Sequence, residues 1–187
     1  MFIQTEETPN PATLKFIPGK ILLNEGTLEY KSKEDAENHN LAKILFEEKY
    51  VSNVFIGKDF LTITKSDAID WDLLKPNLLS KILDFFSTGE EIEVENNNNK
   101  PKKKKYNAKD SKIVDKINDL LVERIKPAVA QDGGDINFVD YKAGIVYLEL
   151  RGACSGCPSS TITLKSGIEN MLKYYIPEIE SVEAINQ

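Results

Sequence analysis

The chain has two cysteines and one histidine among 187 residues, a scarcity that keeps one copy from completing a four-ligand thiolate or imidazole centre. A tetrahedral zinc or an iron–sulfur cubane takes four thiolate or imidazole ligands. One copy of this chain offers Cys154 and Cys157 close together, with His39 far away in sequence. No apolar run approaches the length of a membrane span, so no membrane partner is expected. The opening Met1-Phe2-Ile3-Gln4-Thr5-Glu6-Glu7 has no basic region, apolar core or Arg-rich amphipathic pattern. The expectation is a bacterial cytoplasmic protein made and used in one reducing compartment. Positive charge is also scarce outside one segment. Residues 1–95 carry 10 Lys against 18 Asp/Glu, residues 96–109 carry six Lys, and residues 110–187 carry 8 Lys/Arg against 12 Asp/Glu. A nucleic-acid-binding domain would spread basic residues over a folded face with interleaved aromatics, so that class is not expected.

What is present is Gly152-Ala153-Cys154-Ser155-Gly156-Cys157-Pro158-Ser159-Ser160, which puts both thiols in one turn of backbone. Thiolates are soft ligands suited to zinc, Cu(I) and iron–sulfur clusters. A four-ligand centre here would draw its second pair of ligands from another molecule. Pro158 suits the first position of a helix, and Leu164, Ile168, Met171, Leu172 and Tyr175 continue at helical spacing. Cys157 is thereby expected at the helix N-cap, where backbone N–H groups and the helix dipole favour a thiolate. Small flanking residues suggest an exposed turn. A Cys-x-x-Cys in a reducing compartment points to metal binding or redox activity rather than to a structural disulfide.

The low-complexity run Asn96-Asn97-Asn98-Asn99-Lys100-Pro101-Lys102-Lys103-Lys104-Lys105 reads as a flexible linker; an electrostatic dock for an acidic partner or a phosphate backbone is its functional alternative. The fold expected is α+β: two small domains, 1–95 and 110–187, each a short sheet packed by helices, joined by the Asn/Lys-rich segment 96–109. In the first, strands are expected over 2–6 and 14–17, a helix over 34–49, a hairpin of strands 51–56 and 60–64 around Gly57-Lys58-Asp59, and a helix over 71–88 capped by Asp70. It holds no cysteine and no Gly-rich phosphate loop, so nothing in it suggests catalysis. His39, within Glu37-Asn38-His39-Asn40, is expected at the surface. In the second, a helix over 111–130 is interrupted by Pro127, followed by a turn at Asp132-Gly133-Gly134-Asp135, a hairpin of strands 136–140 and 145–150 around Lys142-Ala143-Gly144, the cysteine loop, a helix over 159–175, and a strand over 179–185. Asp132 and Asp135 are read as turn residues rather than metal ligands.

Lys126-Pro127-Ala128-Val129, Asp132-Gly133-Gly134-Asp135, the cysteine block, Thr163-Leu164-Lys165 and Pro177-Glu178 resemble successive blocks of the NifU C-terminal domain. Phe2-Ile3-Gln4-Thr5-Glu6, Thr8-Pro9-Asn10-Pro11, Leu14-Lys15-Phe16, Pro18-Gly19, Val54-Phe55, Asp59-Phe60, Trp71 and Leu74-Lys75-Pro76 resemble the N-terminal domain of Nfu-type proteins. The resemblance implies a non-enzymatic scaffold or carrier. It would bind a [4Fe-4S] cluster at the interface of two protomers through Cys154 and Cys157, forming a homodimer on loading. Upstream, a cluster assembly scaffold would supply it, and recipient apo iron–sulfur proteins would take the cluster. The chain departs from the family at Asn40-Leu41-Ala42, where a Ser-Pro-Leu-Ala-like helix entry is expected, and in its long linker.

Two other functions fit the same cysteines. A thiol–disulfide oxidoreductase also places Cys-x-x-Cys at a helix start, although no βαβ pattern is read as leading into the motif. Zinc satisfies the same thiolate preference and would give a structural zinc-bridged dimer, or occupy the site in isolated protein.

Overall fold

The computed structural model describes residues 2–92, 104, 106–155 and 158–185. The chain divides into two compact units, Met1–Asn96 and Asn97–Gln187.

The N-terminal unit is one antiparallel sheet covered by two helices. Its elements are β1 (Gln4–Glu7), β2 (Thr13–Ile17), β3 (Leu28–Tyr30), α1 (Asn40–Leu45), β4 (Val51–Ile56), β5 (Leu61–Lys65) and α2 (Trp71–Ser87), with strand order β1-β2-β5-β4-β3. Alternation along the strands sends Leu14 and Phe16, Val54 and Ile56, and Leu61 and Ile63 to one face. There they form a core with Leu41 and Leu45 of α1 and Leu74, Leu78, Ile82 and Phe85 of α2. The β4–β5 hairpin closes at Ile56↔Leu61, with the Gly57 N–H donating to the Phe60 carbonyl at 2.8 Å. Trp71 fixes the start of α2 by donating its indole N–H to the Pro11 carbonyl at 3.0 Å. Asp70 stands at the N-cap of α2, but its side chain makes no capping bond.

Two expectations fail here. α1 spans six residues, not 34–49, because the polar run before it forms turns in which side chains compete for backbone groups. His39, expected at the surface, is 2% exposed. It is the N-cap of α1: Nδ1 accepts from the Ala42 N–H at 3.0 Å, and the ring lies 4.8 Å from that of Tyr30. Its Nε2 has no hydrogen-bond partner among the described residues, and burial depresses its pKa from 6.5 to about 4. Asn40, where the family pattern differs, ties the helix start to the end of the unit by donating to the Glu91 carbonyl at 2.8 Å.

The C-terminal unit opens with α3 (Ala108–Leu120), a π-helical turn over Leu121–Ile125 and α4 (Lys126–Gln131). Helix therefore starts inside the segment read as linker, capped by the Asn107 side chain, which accepts from the N–H groups of Lys109 and Asp110. Lys104 and Tyr106 both donate to the carboxylate of Asp140, at 2.6 and 2.9 Å. Pro127 has no N–H and its ring crowds the carbonyl four residues back. The helix responds with the wide turn and restarts with Pro127 in its first positions. β6 (Gly134–Lys142) and β7 (Ile145–Gly152) form a hairpin closed by Ala143 and Gly144, both at positive φ. After the cysteine loop, α5 (Pro158–Tyr175) returns the chain to β8 (Ser181–Ile185), which pairs parallel to β7. β7 is thus the central strand of the order β6-β7-β8. The core joins Ile117, Leu121, Ile125 and Val129 to Ile136, Val146, Leu148, Leu172, Ile176 and Val182.

A neutral buried histidine makes the N-terminal unit sensitive to acid. The unfolded chain binds a proton near pH 6.5 and the folded one only near 4, so stability present above pH 6.5 is lost as pH falls through that window. His39→Asn keeps a capping side chain without a titratable ring. The drop in melting temperature between pH 7 and pH 4.5 is expected to be smaller in this variant than in the native chain, as scanning calorimetry would read.

Candidate metal centre

The cysteine loop hangs between the last residue of β7 and the first of α5. Gly134 of β6 pairs with Gly152 of β7, and the Ala153 N–H donates to the Gly133 carbonyl at 3.1 Å. This pairing lays the start of β6 directly against Cys154. A Cβ placed on Gly134 would stand 2.7 Å from Cys154 Sγ and 2.6 Å from the Arg151 carbonyl oxygen. Only glycine fits there without displacing the sulfur or the strand. Beyond Cys154, the Ser155 N–H and hydroxyl both donate to the Gly152 carbonyl, at 3.1 and 2.9 Å. Thr161 Oγ1 in the first turns of α5 donates to the Cys154 carbonyl at 3.3 Å. Strand, loop and helix therefore hold Cys154 from three directions.

The Asp132-Gly133-Gly134-Asp135 motif is not all turn. Gly133 makes the turn, at φ 84°, whereas Gly134 and Asp135 are the first residues of β6. Asp135 is buried and accepts from Lys126 Nζ at 2.9 Å; the same ammonium reaches Asn137 Oδ1 at 2.9 Å. Sequence reasoning missed both Gly134 and Lys126 as site-building residues. Both lie in blocks already singled out, but their roles depend on the β6–β7 register.

Cys154 is 5% exposed and packs into the hydrophobic core, contrary to the expectation of an exposed turn. Burial first, and then the carboxylates of Asp132 and Asp135, push its thiol up to about 12. A sulfur in those surroundings is protonated and a poor nucleophile until a cation arrives. Cys157 and its expected N-cap placement lie outside the described residues. Among the described residues, no group of three or more His, Cys, Asp or Glu is placed to hold a metal ion. His39 belongs to the other unit and is committed to capping α1.

The argument against an oxidoreductase stands: the antiparallel β6–β7 hairpin leads into the motif, and the βαβ unit of β7, α5 and the parallel β8 holds the cysteine loop at its first junction rather than preceding it. The burial of Cys154 adds to that argument.

Gly134→Ala is expected to cost about 1–3 kcal/mol, the range for forcing a methyl group into a filled space. It should also speed labelling of the cysteine thiols by displacing Cys154 from its seat. Urea unfolding and thiol-labelling kinetics measure the two effects.

Family models match both halves of the chain: "Scaffold protein Nfu/NifU N terminal" over residues 3–89 and "NifU-like domain" over residues 117–183. The chain is 46% identical over 186 residues to the Homo sapiens "NFU1 iron-sulfur cluster scaffold homolog, mitochondrial", covering 99% of this chain and 72% of that protein. It is 45% identical over 185 residues to the Arabidopsis thaliana "NifU-like protein 5, mitochondrial", covering 98% of this chain and 67% of that protein. In another such relative, from Drosophila willistoni, it spans 64% of the length. A solution structure of a NifU-like protein from Saccharomyces cerevisiae covers 51% of this chain and 87% of its own, with a TM-score of 0.46 and 28% identity. The Homo sapiens, Arabidopsis thaliana and Drosophila willistoni relatives are named mitochondrial proteins, which overturns the expectation of a bacterial cytoplasmic location. That expectation rested on the lack of a targeting pattern in the residues at hand, and an address read by a receptor leaves no mark on the fold. Two domain models in order and 46% identity over nearly the full length settle the relationship: the chain belongs to the Nfu/NifU family of scaffold proteins.

Proposed function

We propose that the C-terminal unit carries an iron–sulfur cluster as cargo, a [4Fe-4S] cubane held between two copies of the chain by Cys154 and Cys157 of each. The observation that carries this reading is the seat of Cys154 on Gly134 at the end of the central strand. The fold spends a glycine and a strand register on placing one sulfur. Two cysteines per chain leave a four-thiolate centre half made, and a second copy supplies the rest. Membership of a scaffold family, with a relative named as an iron–sulfur cluster scaffold homolog, supports the choice of cargo. The protein acts without catalysis: it accepts cluster from an upstream assembly scaffold and yields it to recipient apo iron–sulfur proteins.

Loading displaces a proton from each thiol, because the ligand is the thiolate. At Cys154, burial and the carboxylates of Asp132 and Asp135 oppose that charge in the absence of metal. The same surroundings favour return of the proton when an acceptor's thiols take over the iron. A residue that resists becoming a thiolate suits a carrier better than a permanent cluster site.

In this reading residues 1–95 select the partner and residues 110–187 bind the metal, with 96–109 between them. A C-terminal fragment should nevertheless start before Lys104, so that it retains the Asn107 cap and the bonds of Lys104 and Tyr106 to Asp140. Started at Asn97, it is expected to take up as much iron as the full chain and to deliver it to an acceptor apoprotein more slowly.

Cys154→Ser and Cys157→Ser are each expected to abolish cluster uptake in anaerobic reconstitution, by iron and sulfide analysis, while leaving the circular dichroism spectrum unchanged. Loading of the native chain should double the mass seen by light scattering. A stable, stoichiometric cluster in either variant would defeat the bridged arrangement. Zinc without iron in protein made under iron-replete anaerobic conditions would favour a structural zinc dimer instead.

A further inference from the structure

We propose that the exposed face of α3 is a docking site for an acidic peptide segment of a partner protein, one that carries an apolar side chain among its carboxylates. Lys109, Lys112 and Lys116 stand at i, i+3 and i+7 and so form one stripe of the helix. All three are exposed, and none is in an ion pair among the described residues. Like charges at this spacing repel one another along the helix. The stripe is also out of keeping with the chain. Residues 96–116 hold eight lysines and two aspartates in a protein of net charge -6.

The stripe borders a depression of about 400 Å³ lined by Ala108, Ile113, Ile176 and Glu178 as well as the lysines. Ile113 and Ile176 are buried and give it an apolar floor. Glu178 is the one carboxylate in the lining, and the nearby Asp110 accepts from the Asn107 side chain. A row of ammonium groups beside an apolar floor complements a segment that carries carboxylates flanking an apolar side chain. Nucleic acid fits less well, because no aromatic side chain lines the depression to stack on a base. A bilayer fits less well too, because among the described residues the large exposed apolar ones of this unit are Val122, Ile162, Tyr174 and Tyr175, none of them on α3.

The site stands apart from the cysteines. Cys154 is bonded to the first turns of α5, whereas Ile176 follows its last residue. With 18 residues, α5 is about 27 Å long at 1.5 Å per residue. A partner held at α3 leaves the thiols open, and its docking requires no cluster.

The test therefore uses the full-length, metal-free chain, titrated by fluorescence anisotropy with a labelled short Asp/Glu peptide containing one central leucine. Saturable binding is expected, weakening as salt rises. Lys112→Glu with Lys116→Glu should weaken it by about tenfold or more. Lys112→Gln with Lys116→Gln, which removes charge without reversing it, should fall between that variant and the native chain. Lys33→Glu with Lys58→Glu, in the N-terminal unit, should leave affinity within about twofold, and replacing the central leucine by serine should weaken it several-fold. Circular dichroism establishes that each variant is folded. The proposal is overturned if the α3 variants bind as well as the native chain, or if the serine peptide matches the leucine peptide. It is equally overturned if single-stranded RNA or phosphatidylserine vesicles bind through the same lysines more tightly than the peptide.

Discussion

The placement of Cys154 depends on one close approach, that of the Gly134 backbone to its sulfur. The approach requires Gly134 to sit opposite Gly152, which fixes the register of β6 on β7 as far as Phe138↔Leu148, where an irregularity shifts it by one residue. The register in turn alternates Val146, Leu148 and Leu150 into the core, where they meet α3, α4 and α5. A slip of one residue would turn that apolar row outward and lift the strand from the sulfur together. Core packing and sulfur placement thus share one strand register, so displacing the sulfur costs the unit stability.

Electrostatics around the loop adds a second layer. Lys126 neutralises Asp135 and bonds Asn137, so its charge is committed beside the sulfur rather than directed at it. Burial first, and then the carboxylates of Asp132 and Asp135, favour the thiol at Cys154. A permanent cluster site would gain from cationic or N–H donors aimed at its sulfurs. Here the described donors run instead from Ser155 and Thr161 to backbone carbonyls, which stiffens the loop without stabilising thiolate.

Local signals were legible in the sequence. Gly57-Lys58-Asp59 and Lys142-Ala143-Gly144 marked two hairpins because turn chemistry is written in adjacent residues. α2 and α5 showed through their apolar periodicity, and Pro127 announced a break in the first long helix. Features resting on distant neighbours were hidden. β3 has three residues and forms only by pairing with β4. His39 was masked by polar neighbours, although its ring packs on Tyr30 and caps α1. Gly134 read as turn punctuation because its task, making room for Cys154, belongs to a residue twenty positions away. The burial of Cys154 was invisible for the same reason: its small neighbours describe the loop, and only the sheet describes what closes over it.

The widened turn over Leu121–Ile125 does more than admit a proline. Ile117, Leu121, Ile125 and Val129 are all buried, yet they are spaced by four residues. On a helix of 3.6 residues per turn such a row drifts by about 40° at each step, and it would wind off the sheet before reaching its end. A π turn, with more residues per revolution, unwinds that drift in the middle of the row. The segment works as a vernier between two rigid rulers: it brings the second helix back into phase with the same apolar surface the first one covers. Lys126, on the restarted helix, arrives within hydrogen-bonding distance of Asp135 by that rephasing, so the geometry beside the sulfur is set in part by a helical irregularity in the preceding turn.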